Sequence, residues 1–278
     1  MSLSVFLWVL AAALLHATWN AMVKTGGDKL TGMMLVAVGN GVVGLVVAAF
    51  YPLPAAAVWP WIIASGLIRC VYYLALGYAY EHGDLSRVYP IARGAAPLFV
   101  LVVGGWFLSD VLHPGEVVGI VVLGLGILLM AQGVFRSGES RRLLPFAVAS
   151  AMATAAYSIT DGTGARLMGD AAAFVGWALA VTGAFYLPAL LALKGRAVLK
   201  VDRAALVSGV LAGAASYVAY TIVVWAMTRA PVALVAALRE TSILFAVLIG
   251  WLIFSERMGW GKALAALLIV AGAALTRL

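Results

Sequence analysis

The chain has 278 residues, of which 65% are hydrophobic and only 10% charged, and its formal net charge is +7. A soluble fold of this length has no place to bury so much apolar surface, whereas runs of ~20 apolar residues match the ~30 Å hydrocarbon core of a bilayer. One cysteine, Cys70, excludes an intrachain disulfide and a cysteine-based metal site, and neither a phosphate-binding Gly-rich loop nor an HExxH pair occurs, so direct ATP hydrolysis and zinc peptidase chemistry have no basis here.

Taken in chain order, apolar stretches separated by short polar breaks predict ten spans, roughly 3–25, 31–51, 58–81, 86–108, 114–135, 143–166, 171–193, 204–229, 231–254 and 260–277. The first lacks a signal-peptide cleavage pattern and reads as a retained helix. It carries His16, Asn20 and Lys24 at i, i+4 and i+8, with Trp19 alongside. Asn20 is expected to line a cavity, because a buried amide in lipid needs partners. His16 is the candidate for proton coupling, since imidazole titrates near neutrality; the plainer reading is a hydrogen-bonded packing residue. In the third span Arg69 shares its neighbourhood with Ser65, Tyr72, Tyr73 and Tyr80. Such a stripe reads as a cavity wall, or else Arg69 is one half of a structural ion pair.

Arg93 lies about two turns into the fourth span, between Pro90 and Pro97, where weakened backbone bonding is tolerated only beside protein or water. The sixth span has Thr154, Tyr157, Ser158 and Asp161, and the eighth Ser216, Tyr217, Tyr220 and Thr221. Asp161 is a partner for a substrate ammonium or a proton, or a neutraliser of Arg69 or Arg166. Pro231 opens the ninth span, where its missing N–H costs nothing, and Arg239 and Glu240 follow. Neighbours on a straight helix point about 100° apart, so these two are not expected to meet at one spot. Glu240 is expected to pair across the bundle with Arg93, leaving another arginine for an anionic group, whose oxygens match the planar guanidinium fork. A charge network that merely locks the halves together is the competing reading.

The chain also contains a weak copy of itself. GGWFLSDVLHPGEVVGIVVLGLGILLM is echoed by IGWLIFSERMGWGKALAALLIVAGAAL, which sets Asp110 on Glu256, Gly115 on Gly261 and Arg93 on Arg239. Two repeats follow, residues 1–137 and 138–278. Lys24, Lys29, Arg87, Arg136, Arg141, Arg142, Lys194, Arg196, Lys200, Arg203, Arg257 and Lys262 fall in loops on one side, against Arg166, Arg229 and Arg277 on the other. The positive-inside rule places the first group in the cytoplasm and both termini outside it. Five spans per repeat is odd, so the halves insert with opposite orientation. The expected fold is therefore an all-α integral membrane protein of ten transmembrane helices in two inverted five-helix repeats.

The stretches LFVLVVGGWFLSDVLHPGEVVGIVVLGLGILL and LFAVLIGWLIFSERMGWGKALAALLIVAGAAL, each with an acidic residue before a short turn and a Gly-bearing helix, resemble the drug/metabolite transporter superfamily, specifically its EamA branch. The resemblance covers the whole chain. HATWNAMVK and SRVYPIARGAAPL carry a weaker likeness to a sub-branch associated with phosphonate use. The family likeness implies a basket in which helices one to four and six to nine line a central cavity while the fifth and tenth support it. It also implies amino acids and their derivatives as usual cargo, generally as export.

The function expected is secondary active transport of a small polar metabolite (an amino acid or derivative, an organic anion or a phosphonate-like compound) by alternating access across the inner membrane. Candidate substrate-binding residues are Arg239, Arg93, Arg69, Asn20, Trp19, Tyr72, Tyr73, Tyr157, Asp161, Tyr217, Tyr220 and Glu240, with His16 for protons. The partners expected are a small-molecule substrate and the lipid bilayer, with protons as coupling ion. The basic residues sit in short loops instead of a patch, so nucleic acid is not expected, nor is any cofactor or metal. A monomer and a homodimer are both compatible. The competing classes are an intramembrane enzyme acting on a lipid or prenyl phosphate and a non-transporting assembly or sensor protein.

Overall fold

The computed structural model describes residues 1–24, 29–82, 92–130, 142–252 and 259–277. Among them the chain forms α1 (Leu3–Lys24), α2 (Lys29–Ala48), α3 (Trp59–His82), α4 (Ala96–Phe107), α5 (Pro114–Met130), α6 (Leu143–Met168), α7 (Ala171–Lys194), α8 (Arg203–Met227), α9 (Val232–Arg239), α10 (Ser242–Leu252) and α11 (Trp260–Leu275). Six segments of the described residues are long and apolar enough to cross a bilayer, and four shorter apolar helices accompany them. Large apolar side chains such as Leu7, Val46, Trp106, Leu125 and Leu267 stay exposed on the outer faces. A hydrocarbon solvent removes the reason to bury them, while the helices satisfy their own backbone groups.

Local chemistry places the ends. Gly169 closes α6 in the left-handed region at φ 79°, a conformation that costs glycine nothing. One residue later Asp170 caps α7 by accepting from the Ala173 N–H at 2.9 Å, and Asp202 caps α8 in the same way from Ala205 at 2.7 Å.

The helix pairings carry a twofold pattern. The α1 helix packs on α8 and α3 on α6; α2 lies against α7 and α8, and α7 against α3; α5 pairs with α11. Exchanging α1, α2, α3 and α5 for α6, α7, α8 and α11 turns each pairing into another of the set. The sixth span starts on the face opposite the first, so the repeats are inverted.

Small residues let these backbones meet. A Cβ placed on Gly272 of α11 would come within 2.5 Å of the Leu123 nitrogen and 2.8 Å of the Gly119 carbonyl oxygen on α5. Neither α5 nor α11 contributes a side chain to the central cavity described below. Gly272→Val is therefore expected to force this pair apart, destabilising the protein by roughly 1–3 kcal/mol through overpacking. Thermal unfolding in detergent checks it, and a melting temperature equal to wild type would contradict the close contact.

Two spans are not continuous, contrary to the sequence expectation. The ninth divides into α9 and α10 at Glu240–Thr241, and in the fourth a helical turn at 92–94 bends at Ala95 before α4 begins. The repeat offset that equates Arg93 with Arg239 also equates Ala95 with Thr241. Around the second break the bonds tighten: Glu240 N–H donates to Ala237 O, Thr241 N–H to Leu238 O, and the Thr241 hydroxyl to that same oxygen at 2.7 Å. A hydroxyl that bonds its own preceding turn competes with the regular ladder, which is how such residues bend helices.

Candidate functional site

Both broken spans deliver an arginine to the space between the repeats. A cavity of about 40 Å³ lies there, lined by His16 and Trp19 of α1, Asn40 of α2, Arg69, Tyr72 and Tyr73 of α3, Arg93 before α4, Tyr157 of α6, Leu179 of α7, Ser216 and Tyr220 of α8 and Arg239 of α9. The eight helices that the family likeness nominates supply its wall.

Glu240 organises one side. Its Oε2 accepts from Arg93 Nε at 2.8 Å, and its Oε1 accepts from Arg239 Nε at 3.2 Å and Nη2 at 3.1 Å. The cross-bundle pair with Arg93 is the one expected. The bond from Arg239 to its own neighbour corrects the straight-helix reading: α9 stops at Arg239, so Glu240 no longer obeys a 100° step. The arginine reserved for substrate is thus tied by one edge to the same carboxylate.

The other side is built on Asp161. Arg69 pairs with Asp161 Oδ2, which also accepts from the Tyr220 hydroxyl at 2.5 Å. Ser65 Oγ accepts from Arg69 Nε at 3.3 Å. The guanidinium sits in the corner between two steeply inclined rings, its Cζ 4.2 Å from the Tyr157 ring centroid and 4.1 Å from that of Tyr220. Contact with two aromatic rings stabilises a desolvated cation. Tyr72 continues the aromatic wall, edge-on to Tyr73 and Tyr157 at 5.1 and 5.6 Å.

The carboxylates therefore stand behind the arginines. Asp161 and Glu240 are wholly buried and do not line the cavity, which corrects the expectation that they would face a substrate. The physical reason is pairing: in a low-dielectric interior each is consumed by the cations in front of it. Among the described side chains three guanidiniums share two carboxylates, so with His16 neutral one positive charge remains in excess.

Other sequence candidates fall differently. Tyr217 does not reach the cavity. It is rotated one residue away from Ser216, lies among Ile62, Phe174 and Val175, and donates to Ala172 O at 3.1 Å. His16 does line the cavity, with its ring edge-on to Trp19 at 4.9 Å. The side chains of Asn20, Lys24 and Tyr80, together with residue Glu256, lie outside the described residues. Sequence reasoning missed Asn40, although a lone amide in an apolar run is itself a signal that something polar meets it.

It also missed the role of Arg166, which serves Asp110 instead of Asp161. Arg166 donates to both Asp110 oxygens at 2.8 and 3.2 Å and to Met227 O and Ala230 O at 2.9 and 3.1 Å. Asp110 in turn accepts from the Val232 N–H at 2.8 Å. The acidic residue of the first repeat signature thereby ties the α4–α5 turn to the end of α6 and the start of α9.

Comparison with known proteins agrees with this architecture. The EamA-like transporter family matches residues 3–132 and again 142–278. The chain belongs to the EamA-like transporter family. It is thus a multi-pass membrane transporter of the drug/metabolite kind. No curated protein matches its sequence. One solved crystal structure superposes with a TM-score of 0.76 at 20% identity, covering 98% of this chain and 96% of that one, which shows the fold alone. In secondary transporters built of inverted repeats, substrate sites generally lie at the repeat interface beside discontinuous helices.

Proposed function

We propose that this protein is a secondary active transporter of a small organic anion or zwitterion, such as an amino acid, an organic acid or a phosphonate. It works by alternating access across the inner membrane, with both termini on the extracytoplasmic side. One observation carries the reading: Arg69, Arg93 and Arg239 line the cavity while the carboxylates that orient them lie behind. A wall of this kind offers planar donor forks and excess positive charge, which suits carboxylate or phosphonate oxygens and repels a lipophilic cation.

At about 40 Å³ the cavity holds only a few waters, on a scale where one water needs ~10–15 Å³. An amino acid requires more, so the repeats move apart on one side to admit it. The breaks at Ala95 and Thr241 are the natural places for that motion, because a shortened ladder bends at least cost. His16 is the proposed proton-coupling group, sharing the cavity with Arg93 and Arg239.

The test is uptake by purified protein in proteoliposomes, using labelled amino acids, organic acids, phosphonates and quaternary amines. Accumulation of an unaltered anion or zwitterion is the expected result. Selective uptake of cations, or turnover of a prenyl phosphate by the detergent-solubilised protein, would overturn the proposal. In the same assay His16→Gln is expected to flatten the pH profile, and an unaltered profile would remove His16 from coupling.

A further inference from the structure

Away from the arginines, Trp19 of α1 and Asn40 of α2, two residues that line the cavity, each carry a buried polar atom that nothing among the described residues satisfies. Asn40 is 2% exposed and lines the cavity. Its Nδ2 reaches Tyr73 Oη at 3.5 Å and Ser216 Oγ at 3.4 Å, both at the outer limit of a hydrogen bond, and its Oδ1 has no partner among the described residues. Trp19, 6% exposed, lines the same cavity, and its indole Nε1 also has none.

The two belong to one patch. Trp19 packs against Val36 and Ala212, and Asn40 and Ser216 follow these by four residues on α2 and α8, one turn along the same faces. A buried amide oxygen and a buried indole N–H left unmade are costly anywhere, and more so in a protein surrounded by hydrocarbon. Their chemistry is complementary: one accepts a hydrogen bond, the other donates one. A hydroxyl serves both, and an ammonium serves Asn40.

We infer that the Trp19–Asn40 patch is a second substrate subsite, and that the transported anion carries a protic group, hydroxyl or amino, beside its acid group. Resting on the anion reading above, the assignment divides recognition in two. The arginines hold the acid group, and Asn40 Oδ1 accepts from the protic group, with the Trp19 N–H donating to it where it is a hydroxyl. A plain acid of the same size leaves both patch atoms unmet, so the site discriminates against it.

The experiment is a binding comparison on the full-length protein in detergent, by ligand-induced thermal shift, with two matched series. The first is propionate, lactate and alanine; the second is ethylphosphonate, 2-hydroxyethylphosphonate and 2-aminoethylphosphonate. The hydroxylated or aminated members are expected to bind about tenfold or more tightly than their parents, because a site built to bond a polar group rejects the analogue lacking it. Asn40→Leu is expected to shrink that ratio to within about twofold, and Asn40→Asp, which keeps the shape, to favour the aminated members over the hydroxylated. Equal binding of parent and substituted acids by the wild type would overturn the inference and leave the anion reading standing. Persistence of the ratio in folded Asn40→Leu would overturn it too. Binding of no member of either series would sink the anion reading and this inference with it.

Discussion

Glu240→Ala is expected to destabilise the protein by about 3–5 kcal/mol, as removal of one partner from a buried ion pair does. Glu240 is completely buried and is the only described acceptor that Arg93 and Arg239 share. Deleting it takes the shared carboxylate away from two guanidiniums, themselves 1% and 3% exposed. Water reaches them only through a cavity of about 40 Å³, too narrow to hydrate both. On the usual scaling for a chain of this size the melting temperature falls by roughly 6–20 °C. The diagnostic companion is the double variant Glu240→Ala, Arg93→Met. It removes one of the two uncompensated cations and is expected to melt above the single variant, because an apolar side chain of similar length restores packing without restoring charge. A Glu240→Ala protein that melts within two degrees of wild type, on the order of a single kcal/mol, would refute the shared-carboxylate arrangement.

Arg239→Ala is expected to act on transport instead. Here Glu240 keeps Arg93 through the 2.8 Å bond, so no buried charge is stranded and the variant folds. What disappears is the guanidinium that holds the site one positive charge above its carboxylates. Charge-assisted hydrogen bonds are worth about 1.5–3 kcal/mol each, and a forked contact makes two. Uptake of the anion in proteoliposomes should fall by roughly 100-fold or more. Arg239→Lys should recover part of it, since the charge returns without the planar fork. Normal uptake by folded Arg239→Ala would remove Arg239 from the substrate site. Arg69→Ala makes a useful contrast: it leaves the buried Asp161 carboxylate without its cation and with only the Tyr220 hydroxyl, so its loss of function comes with a loss of stability.

The ion pairs explain which parts of the site were legible beforehand. Charges inside apolar spans are conspicuous in sequence, because hydrocarbon makes each one expensive, and so Arg69, Arg93, Arg239, Asp161 and Glu240 stood out at once. The Arg93–Glu240 contact was expected because neighbours on a straight helix point about 100° apart, which sends Glu240 across the bundle for its partner. That Glu240 also holds Arg239 did not follow. Periodicity describes an unbroken helix, and the turn at Glu240–Thr241 rests on short-range bonds whose outcome depends on tertiary packing. The same assumption misplaced Tyr217, which shares a polar stripe with Ser216 in sequence but turns its hydroxyl to Ala172 O.

By itself the sequence determined the solvent, the ten apolar spans, the internal duplication and the cast of intramembrane charges. Each of these follows from composition or periodicity, which any folded form must respect. Only the tertiary structure decided which side of each charged group faces the cavity. It set the carboxylates behind the arginines, gave Asp110 to Arg166, and brought Asn40 to Ser216 and Trp19 to Val36 and Ala212 along the α2–α8 seam. Those choices are contacts between residues far apart in the chain, fixed by how closely glycine-bearing helices approach one another, and no local pattern encodes them.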